Sequence, residues 1–149
     1  MRTINLIVVH CSATEAGVDY SVEEIDSWHR KRGFRKIGYH FLVHIGGEIS
    51  GEKEGMRSLS EIGAHAKGKN RHSVAVCYIG GMKDGKAWDT RTVPQIHGLR
   101  ALVAALESMY PGAEVVGHRD LSVDLNGDGV ITKDEWMKEC PSFDVKSKL

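Results

Sequence analysis

Two spacings of apolar residues alternate along the chain. Ile4 to Cys11 is a nearly continuous apolar run rich in Ile and Val, the pattern of a strand buried on both faces. Ser21-Val22-Glu23-Glu24 then has the form of a capping box, in which the Ser21 hydroxyl and the Glu24 carboxylate satisfy amides left free at a helix start. Val22, Ile25 and Trp28, with the aliphatic part of Arg32, follow at helical spacing, and Gly33 ends that helix. Tyr39 to Ile45 reads as a second strand, and Gly46-Gly47 turns it into a hairpin with Glu48 to Ser50. Residues 51–72 are polar and glycine-rich and read mostly as loop. Ser73 to Gly80 is a third core strand, and residues 81–90 read as a loop or hairpin. Thr92-Val93-Pro94-Gln95 opens the longest helix, with Pro94 tolerated in its first turn. Ile96, Leu99, Val103, Leu106 and Met109 form its buried stripe, Pro111-Gly112 stops it, and Ala113 to Gly117 is a short strand.

Strands alternating with helices predict an α/β (α+β) fold, a central mixed β-sheet flanked by helices. The length of 149 residues suits a single domain over 1–149, with no repeat or linker to divide it. Hydrophobic residues at 41% and charged residues at 27% are an ordinary globular balance. Twenty basic and twenty acidic side chains cancel, and the short run Arg30, Lys31, Arg32, Arg35 and Lys36 reads as a solvated helix end, so no nucleic-acid partner is expected. No apolar run approaches the ~20 residues of a membrane span. Ile4 to Val9 is too short for a signal peptide and lacks its cleavage site, so synthesis in a cytoplasm is expected. Cys11, Cys77 and Cys140 are an odd number at wide spacing, which argues for free thiols rather than a disulfide framework.

Position singles out two of the eight histidines. His10 ends the first strand and His118 immediately follows the last, where open α/β sheets gather their ligand sites. Cys140 follows a loop long enough to fold back over the same edge. Two neutral imidazoles and a thiolate suit zinc, and three protein ligands leave a fourth position for water, the mark of a catalytic rather than a structural site. The zinc would bring that water's pKa to ~7. From spacing alone the alternative stays open that both histidines bond locally and Cys140 is a small core residue.

Several stretches resemble, in order, the type-2 N-acetylmuramoyl-L-alanine amidases, a family that shares the peptidoglycan-recognition-protein fold. They are Val9-His10-Cys11-Ser12-Ala13-Thr14, Trp28-His29, Gly38-Tyr39-His40-Phe41, Gly63-Ala64-His65-Ala66-Lys67-Gly68-Lys69-Asn70, Ser73-Val74-Ala75-Val76-Cys77-Tyr78-Ile79-Gly80-Gly81 and Cys140-Pro141-Ser142-Phe143-Asp144. The resemblance implies one zinc and cleavage of the amide between N-acetylmuramic acid and L-alanine. It matches His10, His118 and Cys140 to the metal ligands and Tyr39 and Lys138 to the two catalytic side chains. His65 matches a family histidine near the cleft, where it either touches substrate or is a plain loop residue. A Lys138 ammonium two residues from Cys140 would add positive charge where the oxyanion develops, and Tyr39 would orient water or hydrogen-bond the intermediate. Cys77 reads as core, and strand alternation points Cys11 away from the metal.

The segment Leu121 to Met137 is longer than its counterpart in the family's phage lysozymes. Within it, residues 124–135 fit the twelve-residue EF-hand calcium loop at positions 1, 3, 5, 6, 8 and 12. Oxygen ligands would come from Asp124, Asn126, Asp128, the Val130 carbonyl and Glu135, with Thr132 acting through water, and Gly129 would make the sharp turn. A polar turn that merely resembles such a loop is the alternative, because no helix is expected before Asp124. His118-Arg119-Asp120 mimics a kinase catalytic loop, but Leu125 stands where that motif needs asparagine.

The sequence thus predicts a monomeric peptidoglycan amidase of phage or prophage type, made in the cytoplasm without a signal peptide and acting on the cell wall after release. The other readings are a non-catalytic peptidoglycan-binding module and a cytoplasmic muropeptide-recycling amidase. Recognition relatives commonly lose the cysteine ligand, so Cys140 and Lys138 together favour the enzyme.

Overall fold

In the computed structural model, which describes residues 1–149, the first apolar run becomes β1 (Leu6–Cys11). It pairs in parallel with β5 (Ser73–Tyr78) on one side and with β8 (Glu114–Gly117) on the other. β5 pairs in parallel with β3 (Phe41–Val43), and β3 pairs antiparallel with β4 (Ile49–Ser50). The sheet order is β4-β3-β5-β1-β8, a mixed sheet as predicted. Every residue of β5, and all of β1 after Leu6, is buried. Strands covered on both faces need no polar alternation, which is why these segments read as unbroken apolar runs.

The two faces are covered by different elements. Ile7, Val9, Cys11, Val74, Val76 and Tyr78 pack on Leu99, Val103 and Leu106 of α2 (Val93–Met109), joined by Phe143 and by Val145 of a short terminal helix, α3 (Val145–Lys148). Leu42 and Cys77 face the other way, onto Val22 and Ile25 of α1 (Val22–Lys31), with Ile37, Met56 and Ile79. His10 lies level with Cys77 in the parallel register and therefore shares this α1 face. A second, three-stranded sheet joins β2 (Thr14–Glu15) to the hairpin of β6 (Gly81–Lys83) and β7 (Lys86–Ala87).

The predicted elements are present, with local corrections. α1 begins with the expected capping box of Ser21 and Glu24, and Thr92 with Gln95 caps α2 in the same way. On α1 the buried position after Ile25 is His29, while Arg32 is exposed past the helix end. On α2, Met109 is exposed and Gln95 is fully buried. The Gln95 amide donates to the Val43 and Ile79 carbonyls at the end of the sheet, adding to the bond that the Val43 carbonyl already accepts from Ile79 N. Tyr39 and His40 precede β3 rather than belong to it. The Tyr39 carbonyl accepts from Arg57 N and His40 N donates to the Ala75 carbonyl. From 118 to 140 the chain makes 3-10 turns at His118–Leu121 and Lys133–Glu135 and no α-helix.

Candidate metal centre

β1 and β8 run in the same direction side by side, so His10 at the end of one and His118 just past the end of the other converge. Their ring centroids are 4.6 Å apart. Cys140 is delivered from beyond the 121–137 segment and is tied down by two bonds: Arg119 N donates to its carbonyl at 2.8 Å and Cys11 N donates to its sulfur at 3.2 Å. One ligand atom from each of His10, His118 and Cys140 lies within 4.8 Å of the others. His10 Nδ1 sits 3.7 Å from Cys140 Sγ. Donors at about 2.0 and 2.3 Å from a tetrahedral zinc stand about 3.5 Å apart, so the spacing fits that ion, as does the two-nitrogen, one-sulfur set.

The electrostatics suit ligation. Burial holds the His10 imidazole well below its ordinary pKa, with His65, His118 and Lys138 adding to the shift. Burial and Lys138 bring His118 down to about 4. Both rings are therefore neutral, with lone pairs available. The Cys140 thiol is pushed well up by its contact with Cys11 and by burial, so a thiolate here requires a compensating cation. Cys11 occupies the α2 face, away from His10, as alternation requires. Cys140 reaches round the sheet end to pack against that face and touches Cys11 there.

The other expected side chains surround this cluster. The Tyr39 ring is 5.2 Å from that of His10, and burial raises its pKa far enough to keep the hydroxyl protonated. Lys138 is exposed to solvent, and its charge bears on both histidine ligands. His65 lies on the far edge of His10, its Nδ1 2.9 Å from His10 Nε2. The loop carrying it lies directly on residues 37–40: a Cβ on Gly38 would come within 2.0 Å of the Ala64 carbonyl oxygen. Three buried polar residues that hold this region were not anticipated. His29 Nδ1 accepts from Gly38 N, His40 Nδ1 accepts from Ala75 N, and Ser73 Oγ lies 3.0 Å from His65 Nε2.

In the 124–135 loop, carboxylate oxygens of Asp124, Asp128 and Glu135 also converge within 4.8 Å. Asp124 accepts from Gly127 N and Gly129 N, and Glu135 accepts from Leu125 N and Thr132 N. Asn126 lies beside Asp128, its amide nitrogen 3.3 Å from the Asp128 carboxylate, while the Val130 side chain is exposed.

Comparison with known proteins places the chain in a family. The family model for N-acetylmuramoyl-L-alanine amidase matches residues 1–142. The endolysin of Escherichia phage T7 is 35% identical over 146 residues, 97% of this chain and 85% of its own length. N-acetylmuramoyl-L-alanine amidase LysC from Clostridium intestinale superposes with a TM-score of 0.71 at 25% identity, over 96% of this chain and 79% of that one. Drosophila peptidoglycan recognition protein SD shares the fold at 18% identity, with a TM-score of 0.69 over 95% of this chain and 76% of that one. No helix is long and apolar enough to cross a membrane. The chain belongs to the N-acetylmuramoyl-L-alanine amidase family.

Proposed function

We propose that this amidase works with zinc held by His10, His118 and Cys140, and that Lys138 and Tyr39 act on the amide between N-acetylmuramic acid and L-alanine in peptidoglycan. The observation that carries this is the convergence of two neutral imidazoles and a thiol at one sheet end, with a lysine charge beside them. When bound, zinc supplies Lewis acidity to the scissile carbonyl and to the attacking water. Lys138 places an ammonium where the tetrahedral oxyanion develops and stabilises it more than the planar ground state. The Tyr39 hydroxyl, which burial keeps protonated, would be the hydrogen-bond donor to the intermediate. Cys11 N steadies the sulfur of Cys140. A recognition module needs neither Lys138 nor the thiol, so their joint presence supports catalysis.

The test is metal analysis beside cell-wall digestion. One zinc per chain is expected, with solubilised walls carrying new L-alanine amino termini. His118→Ala and Cys140→Ala should abolish release, and retained activity in either would refute the ligand assignment. Likeness to the phage T7 endolysin supports action on the intact wall, made in the cytoplasm and released at lysis. Preference for soluble anhydro-muropeptides over intact sacculi would instead point to recycling.

The 124–135 loop is part of the same proposal, as a calcium loop inserted in a single 1–149 domain. Its support is the EF-hand spacing together with the convergence of Asp124, Asp128 and Glu135. Asn126 and the Val130 carbonyl complete the proposed oxygen set. The role would be structural, a staple on the segment that delivers Lys138 and Cys140.

A further inference from the structure

The His10 ring has two edges, and each faces a different set of partners. Nδ1 faces Cys140 Sγ, where the candidate ligands converge. Nε2 faces His65 Nδ1 at 2.9 Å, and His65 Nε2 in turn lies 3.0 Å from Ser73 Oγ. We infer that His65, backed by Ser73, is a positioning residue for the metal site: the relay Ser73–His65–His10 fixes the tautomer and orientation of a ligand histidine. This rests on the zinc reading above and extends it to residues that touch no metal.

Proton placement follows from the geometry. A hydrogen bond between two ring nitrogens needs a proton on one and a lone pair on the other. Nδ1 of His10 must be bare to bind a metal, so Nε2 carries the proton and donates it to His65 Nδ1. The proton of His65 then sits on Nε2 and is donated to Ser73 Oγ. The Ser73 hydroxyl turns its own proton to the Asn70 carbonyl, 3.4 Å away. Reversing the relay would place a proton on His10 Nδ1, aimed at the cysteine.

The relay is mounted rigidly. His10 and Ser73 are 1% and 0% exposed. Backbone amides of His65 and Ala66 both donate to Asn70 Oδ1, which folds the loop into a tight arch. Gly63 lets that loop pass: a Cβ there would stand 2.7 Å from the Gly38 carbonyl oxygen and 2.8 Å from His65 Cδ2. With both ring nitrogens of His65 engaged inside the protein, neither is free for substrate. A histidine ligand held by a hydrogen bond on its far nitrogen keeps its lone pair on the metal's line, and loss of such a partner typically costs 10–100-fold in metal affinity.

The experiment starts from the zinc-loaded protein and measures zinc affinity by chelator competition, alongside steady-state hydrolysis of a soluble muropeptide at saturating zinc. His65→Ala should weaken zinc about 10–100-fold with KM unchanged. Ser73→Ala should weaken it in the same direction by less. His65→Asn, whose carbonyl oxygen can take the place of Nδ1 as acceptor, should recover most of the loss. A folded His65→Ala protein with wild-type zinc affinity and a raised KM would overturn the inference and return His65 to substrate contact. If His65→Ala does not fold, Ser73→Ala and His65→Asn decide, and wild-type affinity in Ser73→Ala overturns the relay. A wild-type protein that takes up no zinc overturns the metal reading itself and the relay with it, a pattern distinct from a zinc-bound wild type with an indifferent variant.

Discussion

Lys138 stands in solvent, yet its charge helps to depress both candidate ligands, His10 and His118. In the proposed mechanism a cation so placed would stabilise the negative charge that grows on the carbonyl oxygen during attack. Lys138→Met should therefore lower kcat by about 10²–10³-fold, the usual cost of losing one such stabilising group, with zinc content unchanged. Turnover of a muropeptide at saturating zinc, beside metal analysis, measures this. Near-wild-type turnover would make Lys138 an ordinary surface lysine. At this scale the sequence exposed what is apolar or chemically conspicuous and hid what is polar and buried. Helical spacing picks Met109 for the core, but the end of α2 runs past the sheet and leaves it exposed, while Gln95 is buried because its amide completes two carbonyls. The roles of Ser73 and His40 are hidden for the same reason, since a hydrogen-bonded core residue has no periodic mark: Ser73 meets His65 eight residues away and His40 accepts from Ala75 N 35 residues away.

β1, β5 and α2 were legible because each buries a whole face, and burial writes a period into the chain. β2 and β7, of two residues each, and the four-residue α3 are too short to carry one. The candidate histidine ligands were legible as positions on elements: His10 by ending an apolar strand and His118 by following another. Cys140 was legible only weakly, as a thiol after a loop long enough to fold back over that edge, because a loop rather than a strand delivers it; the family resemblance strengthened the reading. That loop is also where the proposed second ion would act. An ion that binds the folded loop and not the unfolded chain stabilises by RT ln(1 + [L]/Kd), about 2.7 kcal/mol at a hundredfold excess over Kd. Calcium is thus expected to raise the melting temperature with free zinc buffered at one level, and Asp124→Ala should remove the response without removing zinc. Identical melts with calcium and with a calcium chelator would leave 124–135 as a polar turn.

The whole molecule rests on buried neutral histidines, and that sets its behaviour toward acid. His29 and His40, 6% and 0% exposed, each accept a backbone N–H on Nδ1 and are brought down to about 4, chiefly by burial. Below pH 6.5 the unfolded chain protonates these rings while the folded protein refuses the proton until about pH 4. The unfolded state then binds more protons, so stability rises with pH across this window and falls as the pH drops through it. Each group contributes a slope of up to ~1.4 kcal/mol per pH unit. Glu61, held down to about 2 by Ser58 N and Arg35, extends the loss below the ordinary carboxylate range. His29→Asn isolates one contribution, because the asparagine oxygen can accept from Gly38 N as Nδ1 does but does not titrate. Urea unfolding at pH 7, 6 and 5 under identical zinc should give the variant a slope shallower by up to ~1.4 kcal/mol per pH unit, the metal's own pH dependence cancelling in the difference. Parallel slopes would mean that His29 is protonated in the folded protein and that Gly38 N is held by something other than a neutral ring.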